Sequence, residues 1–188
     1  MKDHIRKDML AKRNALSDSE VFRKSEIIKQ KLFVLDECIK AQTILFYVSY
    51  GNEVHTHDMV KECLNSEKQV VVPISNKQDA TLFLSKLTSW GDLEPGSYSI
   101  LEPKKDSIKE ASLESIDLVI VPGVAFDTKG HRIGHGRGYY DNLLNKPTKA
   151  LKVGLAYDFQ IVDQIPYECH DVPVNRIITE NHIINCIF

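Results

Sequence analysis

The polar and apolar positions of this chain change period several times. Over residues 2–15, Ile5, Met9 and Leu10 fall on one helical face, while Lys2, Arg6 and Arg13 fall on the others, which predicts an amphipathic helix. Ser17 and Glu20 then have the spacing of a capping box, and Val21, Ile28 and Leu32 carry a second helix onward. After that, runs rich in β-branched and aromatic residues predict strands at 43–50, 69–74, 118–121 and 151–156, with a short one at 81–84. Helices are expected near 58–65 and 139–145. Residues 90–103 are turn-rich, without strong periodicity, and read as an irregular cover over a pocket; 104–115 is a charged connection. An acidic loop from Tyr167 precedes a terminal strand ending at Ile178. Strands alternating with helices predict one α/β domain over residues 1–188, a largely parallel sheet flanked by helices.

Composition narrows the classes. The chain has 188 residues, 43% of them hydrophobic, enough for one well-buried core. A formal charge of -2 gives no global attraction to nucleic acid or anionic membrane, so any basic site must be local. Cys38, Cys63, Cys169 and Cys186 are far apart and form no paired motif; they read as reduced thiols rather than a zinc knuckle or a disulfide framework. The N-terminus has no unbroken apolar core, and no run reaches the length of a membrane span. A cytoplasmic protein is expected.

The candidate chemistry lies between Asp117 and Asp141. The apolar run Leu118–Val121 is closed by Pro122 and Gly123, and the following stretch carries Gly130, Gly134, Gly136 and Gly138 with His131, Arg132, His135 and Arg137 before a helix start at Tyr139, Tyr140 and Asp141. Glycines let backbone N–H groups turn toward an anion, a helix N-terminus adds partial positive charge, and a guanidinium fits phosphate oxygens. Asp141 would repel a polyphosphate unless a divalent cation lay between them; it could equally serve only the helix N-terminus. Other candidates also keep two readings. Lys2 and Arg6, one turn apart, form either an anion grip or a solvated basic face. Glu53, just past the first strand, is either a pocket carboxylate or a plain loop acid. Asp171 is either a second metal carboxylate or a turn residue beside Pro173, and Trp90 either a stacking surface or a core anchor. His55 and His57 have no third ligand nearby in sequence and suit a loop entering a helix.

VPGVAFDTKGHRIGHGRGYYD, residues 121–141, closely resembles the signature of the 5-formyltetrahydrofolate cyclo-ligase family, and GLAYDFQ and HDVPV extend the likeness over essentially the whole chain. The resemblance implies a fold like the sugar-phosphate isomerase and CoA-transferase group. It also implies an enzyme that uses Mg²⁺ and ATP to turn 5-formyltetrahydrofolate, polyglutamylated or not, into 5,10-methenyltetrahydrofolate, releasing ADP and phosphate. By position, Lys2, Arg6, Arg132, Gly134, His135, Gly136, Arg137, Gly138, Tyr139 and Tyr140 match the ATP-binding residues. Val48 and Glu53, with His135 to Tyr139, match the folate pocket, and Asp141 with Asp171 match the Mg²⁺ carboxylates. Arg132, Arg137, Tyr139 and Tyr140 are the residues expected to act in catalysis, in a monomer that engages neither nucleic acid nor membrane.

Two positions depart from the family pattern. His135 stands where relatives often carry a permanently charged or a small residue, so its contribution to phosphate binding depends on pH. Asn175 stands where an aspartate is frequent, leaving Asp171 as the better metal ligand. A non-catalytic folate or nucleotide binder and a sugar-phosphate isomerase are the competing classes.

Overall fold

Four consecutive apolar residues have no side to give to solvent, so a strand made of them belongs in the middle of a covered sheet. That is the place of Leu118–Val121 in the computed structural model, which describes residues 1–96, 100–168 and 170–187. Helices α1 (Lys2–Asn14), α2 (Asp18–Phe33) and α3 (Asp36–Lys40) come first, then β1 (Thr43–Leu45), α4 (His57–Leu64), β2 (Gln69–Asn76) and β3 (Thr81–Leu87). The hairpin β4 (Leu93–Pro95) and β5 (Leu101–Pro103) precedes the central β6 (Leu118–Val121). After it come the hairpin β7 (Ala125–Asp127) and β8 (Arg132–Ile133), α5 (Tyr139–Leu144), β9 (Leu151–Leu155), β10 (Ile161–Val162), β11 (Arg176–Ile178) and β12 (Ile183–Asn185).

The main sheet has seven strands in the order β12-β11-β9-β6-β1-β2-β3. It is parallel from β11 to β2 and antiparallel only at the two edges, as the alternation of strands and helices predicts. Alternate residues serve opposite layers: Ile44, Phe46, Leu118 and Ile120 join the core with Ile28 and Leu32 of α2 and Met59 of α4. Leu45, Val119 and Val121 face Leu143 and Leu144 of α5. The α2 capping box forms as its spacing predicts, Ser17 Oγ accepting from the Glu20 N–H and the Glu20 carboxylate accepting from the Ser17 N–H.

Several elements differ from the sequence expectation, each for a local reason. The first strand leaves the ladder at Leu45 instead of Tyr50, because side chains replace ladder partners: Ser49 N–H donates to Thr56 Oγ1, Thr56 N–H to Ser49 Oγ, and Thr56 Oγ1 to the Tyr47 carbonyl. The short third strand runs on to Leu87 and returns antiparallel to β2. The expected irregular cover contains a 3-10 turn at Trp90–Asp92 and the β4–β5 hairpin. Tyr98 of that expected cover and the thiol of Cys169 lie outside the described residues. β11 is not terminal, since β12 folds back against it. Arg13, placed by periodicity on an outward face, is 5% exposed.

The glycine-rich region holds a small sheet, β10-β7-β8, against which α1 packs through Met9. Asp127 fixes the tight turn of its hairpin: Oδ1 accepts the N–H groups of Lys129 and His131, while Oδ2 accepts the Ile165 N–H and lies 3.1 Å from His131 Nδ1. Phe126 anchors the hairpin to the main sheet, fully buried over two glycines. A Cβ on Gly154 of β9 would come within 2.6 Å of its ring, and one on Gly123 within 2.5 Å. Gly154→Ala should therefore destabilise the protein by roughly 1–3 kcal/mol in denaturant unfolding, with Phe126→Leu relieving much of the loss in the double variant. An unchanged midpoint for Gly154→Ala would contradict this packing.

Candidate active site

The parallel strands end on one side of the sheet, where their loops must diverge, and a cavity of about 250 Å³ opens there. Its wall is built from Tyr47, Val48 and Glu53 after β1, Pro73 and Ser75 of β2, Leu82 of β3, and Pro122 and Gly123 after β6. Ile100 and Glu102, at the β5 arm of the cover, line one side; the glycine loop and the first turn of α5 close the other. Gly138 caps α5 with φ of +70°, a left-handed conformation natural to glycine, and so turns Tyr139, Tyr140 and Asp141 toward the cavity.

Glu53 is the buried carboxylate of this wall, 7% exposed. Its Oε2 accepts the Tyr50 N–H at 3.2 Å, and its carbonyl accepts the Tyr157 hydroxyl at 3.1 Å. Oε1 lies 3.5 Å from His135 Nε2 and 3.9 Å from an Arg13 nitrogen. The Tyr139 and Tyr140 hydroxyls are buried without a protein partner, which leaves two donors for a ligand. Burial first, and the nearby Glu53 charge second, push the Tyr140 phenol far above the usual range, with Arg132 opposing; it is a hydroxyl donor, not a phenolate.

Beside the cavity lies a rim of paired charges. Arg132, its side chain 4% exposed, donates to Asp141 Oδ1 at 2.6 Å and to the Val172 carbonyl at 2.6 Å. It therefore ties the first turn of α5 to the 170–172 loop, and Asn145 adds a second tie by donating to the His170 carbonyl. In that loop Asp171 accepts from Lys2 Nζ at 2.7 Å and from the Glu168 N–H. Burial would raise the Asp171 carboxyl, but the hydrogen bonds from Lys2 and Glu168 and the Lys2 charge outweigh it and hold it below the ordinary value. Arg6 Nε donates to the Gly134 carbonyl at 2.9 Å, with its guanidinium close over Gly136.

The sequence candidates thus separate into two adjoining groups. Val48, Glu53, Arg132, Gly134, His135, Arg137 and Gly138 to Asp141 line the cavity, whereas Lys2, Arg6 and Asp171 gather at the rim. His55 and His57 stack on each other away from both, with Trp90 4.9 Å from the His57 ring and packed against the core, so Trp90 is an anchor outside the cavity. Asn175 accepts the Lys152 N–H at 2.9 Å and joins β9 to β11, a structural use. Ile100 and Glu102 escaped the sequence reading because the β4–β5 hairpin that brings their segment to the cavity has no local signature; Tyr47, Tyr50 and Ser75 come from strand segments whose cavity-facing positions emerge only once β1 and β2 pair.

The donor set fits a phosphate-bound hard cation. Asp141 and Asp171 flank the same Arg132-bridged junction, and among the described residues no three His, Cys, Asp or Glu side chains gather at one point. Two carboxylates suit Mg²⁺ when phosphate oxygens and water complete its shell. Around the loop, a Cβ at Gly134 or Gly138 would meet nothing within 4 Å, so its backbone borders open space. Cys38 and Cys63 are buried, and burial pushes their thiols up to about 11 and about 12, which suits packing rather than nucleophilic chemistry.

Comparison with known proteins identifies the family. Residues 1–180 match the model of the 5-formyltetrahydrofolate cyclo-ligase family. The mouse 5-formyltetrahydrofolate cyclo-ligase is 29% identical, with 94% of this chain and 92% of the mouse protein aligned; the Saccharomyces cerevisiae enzyme is 31% identical over 88% of each. The solved 5,10-methenyltetrahydrofolate synthetase of Aquifex aeolicus superimposes with a TM-score of 0.86 at 35% identity, covering 98% of this chain and 92% of that one. The Mycoplasma pneumoniae synthetase does so at 0.77 and 27% identity, over 95% and 98%.

Because Arg132 is buried between two acceptors, removing its charge should cost more than a surface ion pair. Arg132→Met is expected to lower unfolding free energy by about 2 kcal/mol, the partial exposure of Asp141 keeping the loss below that of a fully buried pair. A melting temperature equal to that of the unaltered protein would show that the junction does not depend on it.

Proposed function

The chain belongs to the 5-formyltetrahydrofolate cyclo-ligase family and is an enzyme of that kind acting on a small folate, and we propose that it closes the ring of 5-formyltetrahydrofolate with Mg²⁺ and ATP. The observation that carries this reading is the junction of the two groups of residues. One continuous segment, 132–141, borders both the cavity and the charged rim.

A formamide is a weak electrophile, and its oxygen would have to leave as hydroxide. In the proposed reaction that oxygen attacks the γ-phosphorus of ATP and ADP departs. N10 then attacks the formyl carbon, the C–O bond breaks with release of phosphate, and the N10 proton passes to solvent. The protein chiefly aligns reactants and stabilises spreading charge. Lys2, Arg6, Arg132, Arg137 and the loop amides are assigned to the phosphates, and the cavity with Val48 and Glu53 to the folate. The unpartnered hydroxyls of Tyr139 and Tyr140 are assigned as donors to the formyl or transferring oxygen, which their lack of a protein partner supports. Bound between Asp141 and Asp171, Mg²⁺ would supply neutralisation of phosphate charge. No step needs a covalent nucleophile.

Both proposed substrates are water-soluble, which supports a cytoplasmic enzyme; among the described residues no helix is long and apolar enough to cross a membrane. A monomer suffices for this reading, since each assigned residue comes from one chain.

The test is appearance of the conjugated methenyl product in the near ultraviolet, from purified protein, 5-formyltetrahydrofolate and Mg²⁺, with and without ATP. Absorbance should rise only with ATP, and Asp141→Ala should slow it at least about 100-fold. Binding of both ligands without product would instead identify a folate sensor, and product without ATP would remove the phosphoryl-transfer step.

A further inference from the structure

One buried charge has no part in that chemistry. Arg13, in the last turn of α1, is 5% exposed, is absent from the cavity wall, and has its Nε buried without a partner. Its nearest opposite charge is Glu53 Oε1 at 3.9 Å, too long for a hydrogen bond and so a contact through charge. Its carbonyl accepts from Asn52 Nδ2 at 3.1 Å, and the same amide donates to the Leu16 carbonyl, so the end of α1 and the loop carrying Glu53 are fastened together.

We propose that Arg13 is a positioning residue for the folate half of the site, holding the Glu53 carboxylate in place from behind while the substrate meets it from the cavity. This rests on the assignment of Glu53 to folate made above. Glu53 Oε2 is fixed by the Tyr50 N–H of its own loop, whereas Oε1 has two cationic neighbours. His135 approaches from the exposed glycine loop, its side chain 40% exposed, and carries charge only when protonated. Arg13 is permanently charged and buried. The other groups facing Glu53 are the phenols of Tyr47, Tyr50, Tyr140 and Tyr157, all raised by burial and, less strongly, by Glu53, and none able to balance a carboxylate. Without Arg13 the Oε1 oxygen would face His135 alone and be drawn toward the loop.

The same placement makes α1 a link between the two substrates. Lys2 and Arg6 reach the phosphate rim from its first turns, and Arg13 reaches Glu53 from its last, about 16 Å beyond Lys2 and about 10 Å beyond Arg6 along the helix. The distance separates the two effects: loss of Arg13 should be felt by folate and not by ATP.

Arg13→Gln, Glu53→Gln and the double variant, compared with the unaltered enzyme, decide the matter through KM for 5-formyltetrahydrofolate and for ATP, measured separately. Arg13→Gln should raise folate KM on the order of 30-fold and leave ATP KM within about twofold, and Arg13→Lys should recover most of the difference. In the Glu53→Gln background Arg13→Gln should add less than about threefold, because a residue acting through Glu53 has nothing left to act on. The double variant leaves no unpaired buried charge, so where either single variant folds poorly its comparison with the unaltered enzyme still reads whether folate KM rises while ATP KM stays within about twofold. Effects of the two substitutions that multiply, or a loss shared equally by both substrates, would make Arg13 only an anchor of the helix and overturn the proposal. An unaltered protein that turns over no folate would overturn the function itself; an active one indifferent to Arg13→Gln would overturn this inference alone.

Discussion

The site hangs on one buried guanidinium. Arg132 closes the β7–β8 hairpin and spends its hydrogen bonds on Asp141 and the Val172 carbonyl, so one permanent charge sets both the start of α5 and the 170–172 loop. A buried cation tolerates few arrangements of its neighbours, since any that leaves it unpaired is costly. Asp171, and Lys2 with it, are therefore located by a residue from another part of the chain. The motif residues Phe126 and Asp127 serve this end indirectly. Phe126 presses the hairpin onto the glycines of β6's exit and β9, and Asp127 satisfies its turn. Gln160 completes the support, donating to the Gly123 and Val124 carbonyls from the GLAYDFQ segment.

Charge pairing also gives the rim its character. Lys2 and Arg132, assigned to phosphate, are each paired with one of the two carboxylates assigned to Mg²⁺. A bound metal and a bound polyphosphate would exchange these pairs together, each relieving the charge that opposes the other. The cavity has a different character: its tyrosines, Val48, Leu82 and Ile100 offer apolar surface, with Glu53 and the unpartnered phenols of Tyr139 and Tyr140 as polar points. Segment 132–141 lies between the two regions, which is where the proposed reaction would join a folate oxygen to a γ-phosphorus.

The parallel core was legible from the chain because it is written in local patterns. Leu118–Val121 is apolar throughout, Ser17 and Glu20 are the two ends of a capping box, and Ile28 and Leu32 lie on one face of a helix. The short additions were not, for want of such patterns: β12 and β8, which pair antiparallel, and β10, which pairs β7 in parallel, are two or three residues long and acquire their partners only through tertiary packing. In the site, the glycine loop and its aspartate were visible because glycine and arginine declare their chemistry at short range. Arg13 was hidden because periodicity treats every arginine as outward-facing, and no local pattern tells of a carboxylate forty residues away. Glu102 was hidden in a turn-rich stretch whose hairpin could not be read from composition.

The central claim is that segment 132–141 holds phosphate on one side and folate on the other, and a crystal structure with Mg²⁺, a non-hydrolysable ATP analogue and 5-formyltetrahydrofolate tests it most directly. The account predicts the phosphate chain among Lys2, Arg6, Arg132 and the loop amides, Mg²⁺ between Asp141 and Asp171, and the folate in the cavity against Glu53 with its formyl oxygen facing the γ-phosphate. A nucleotide seated outside the loop, or a formyl group turned away from it, would contradict that claim.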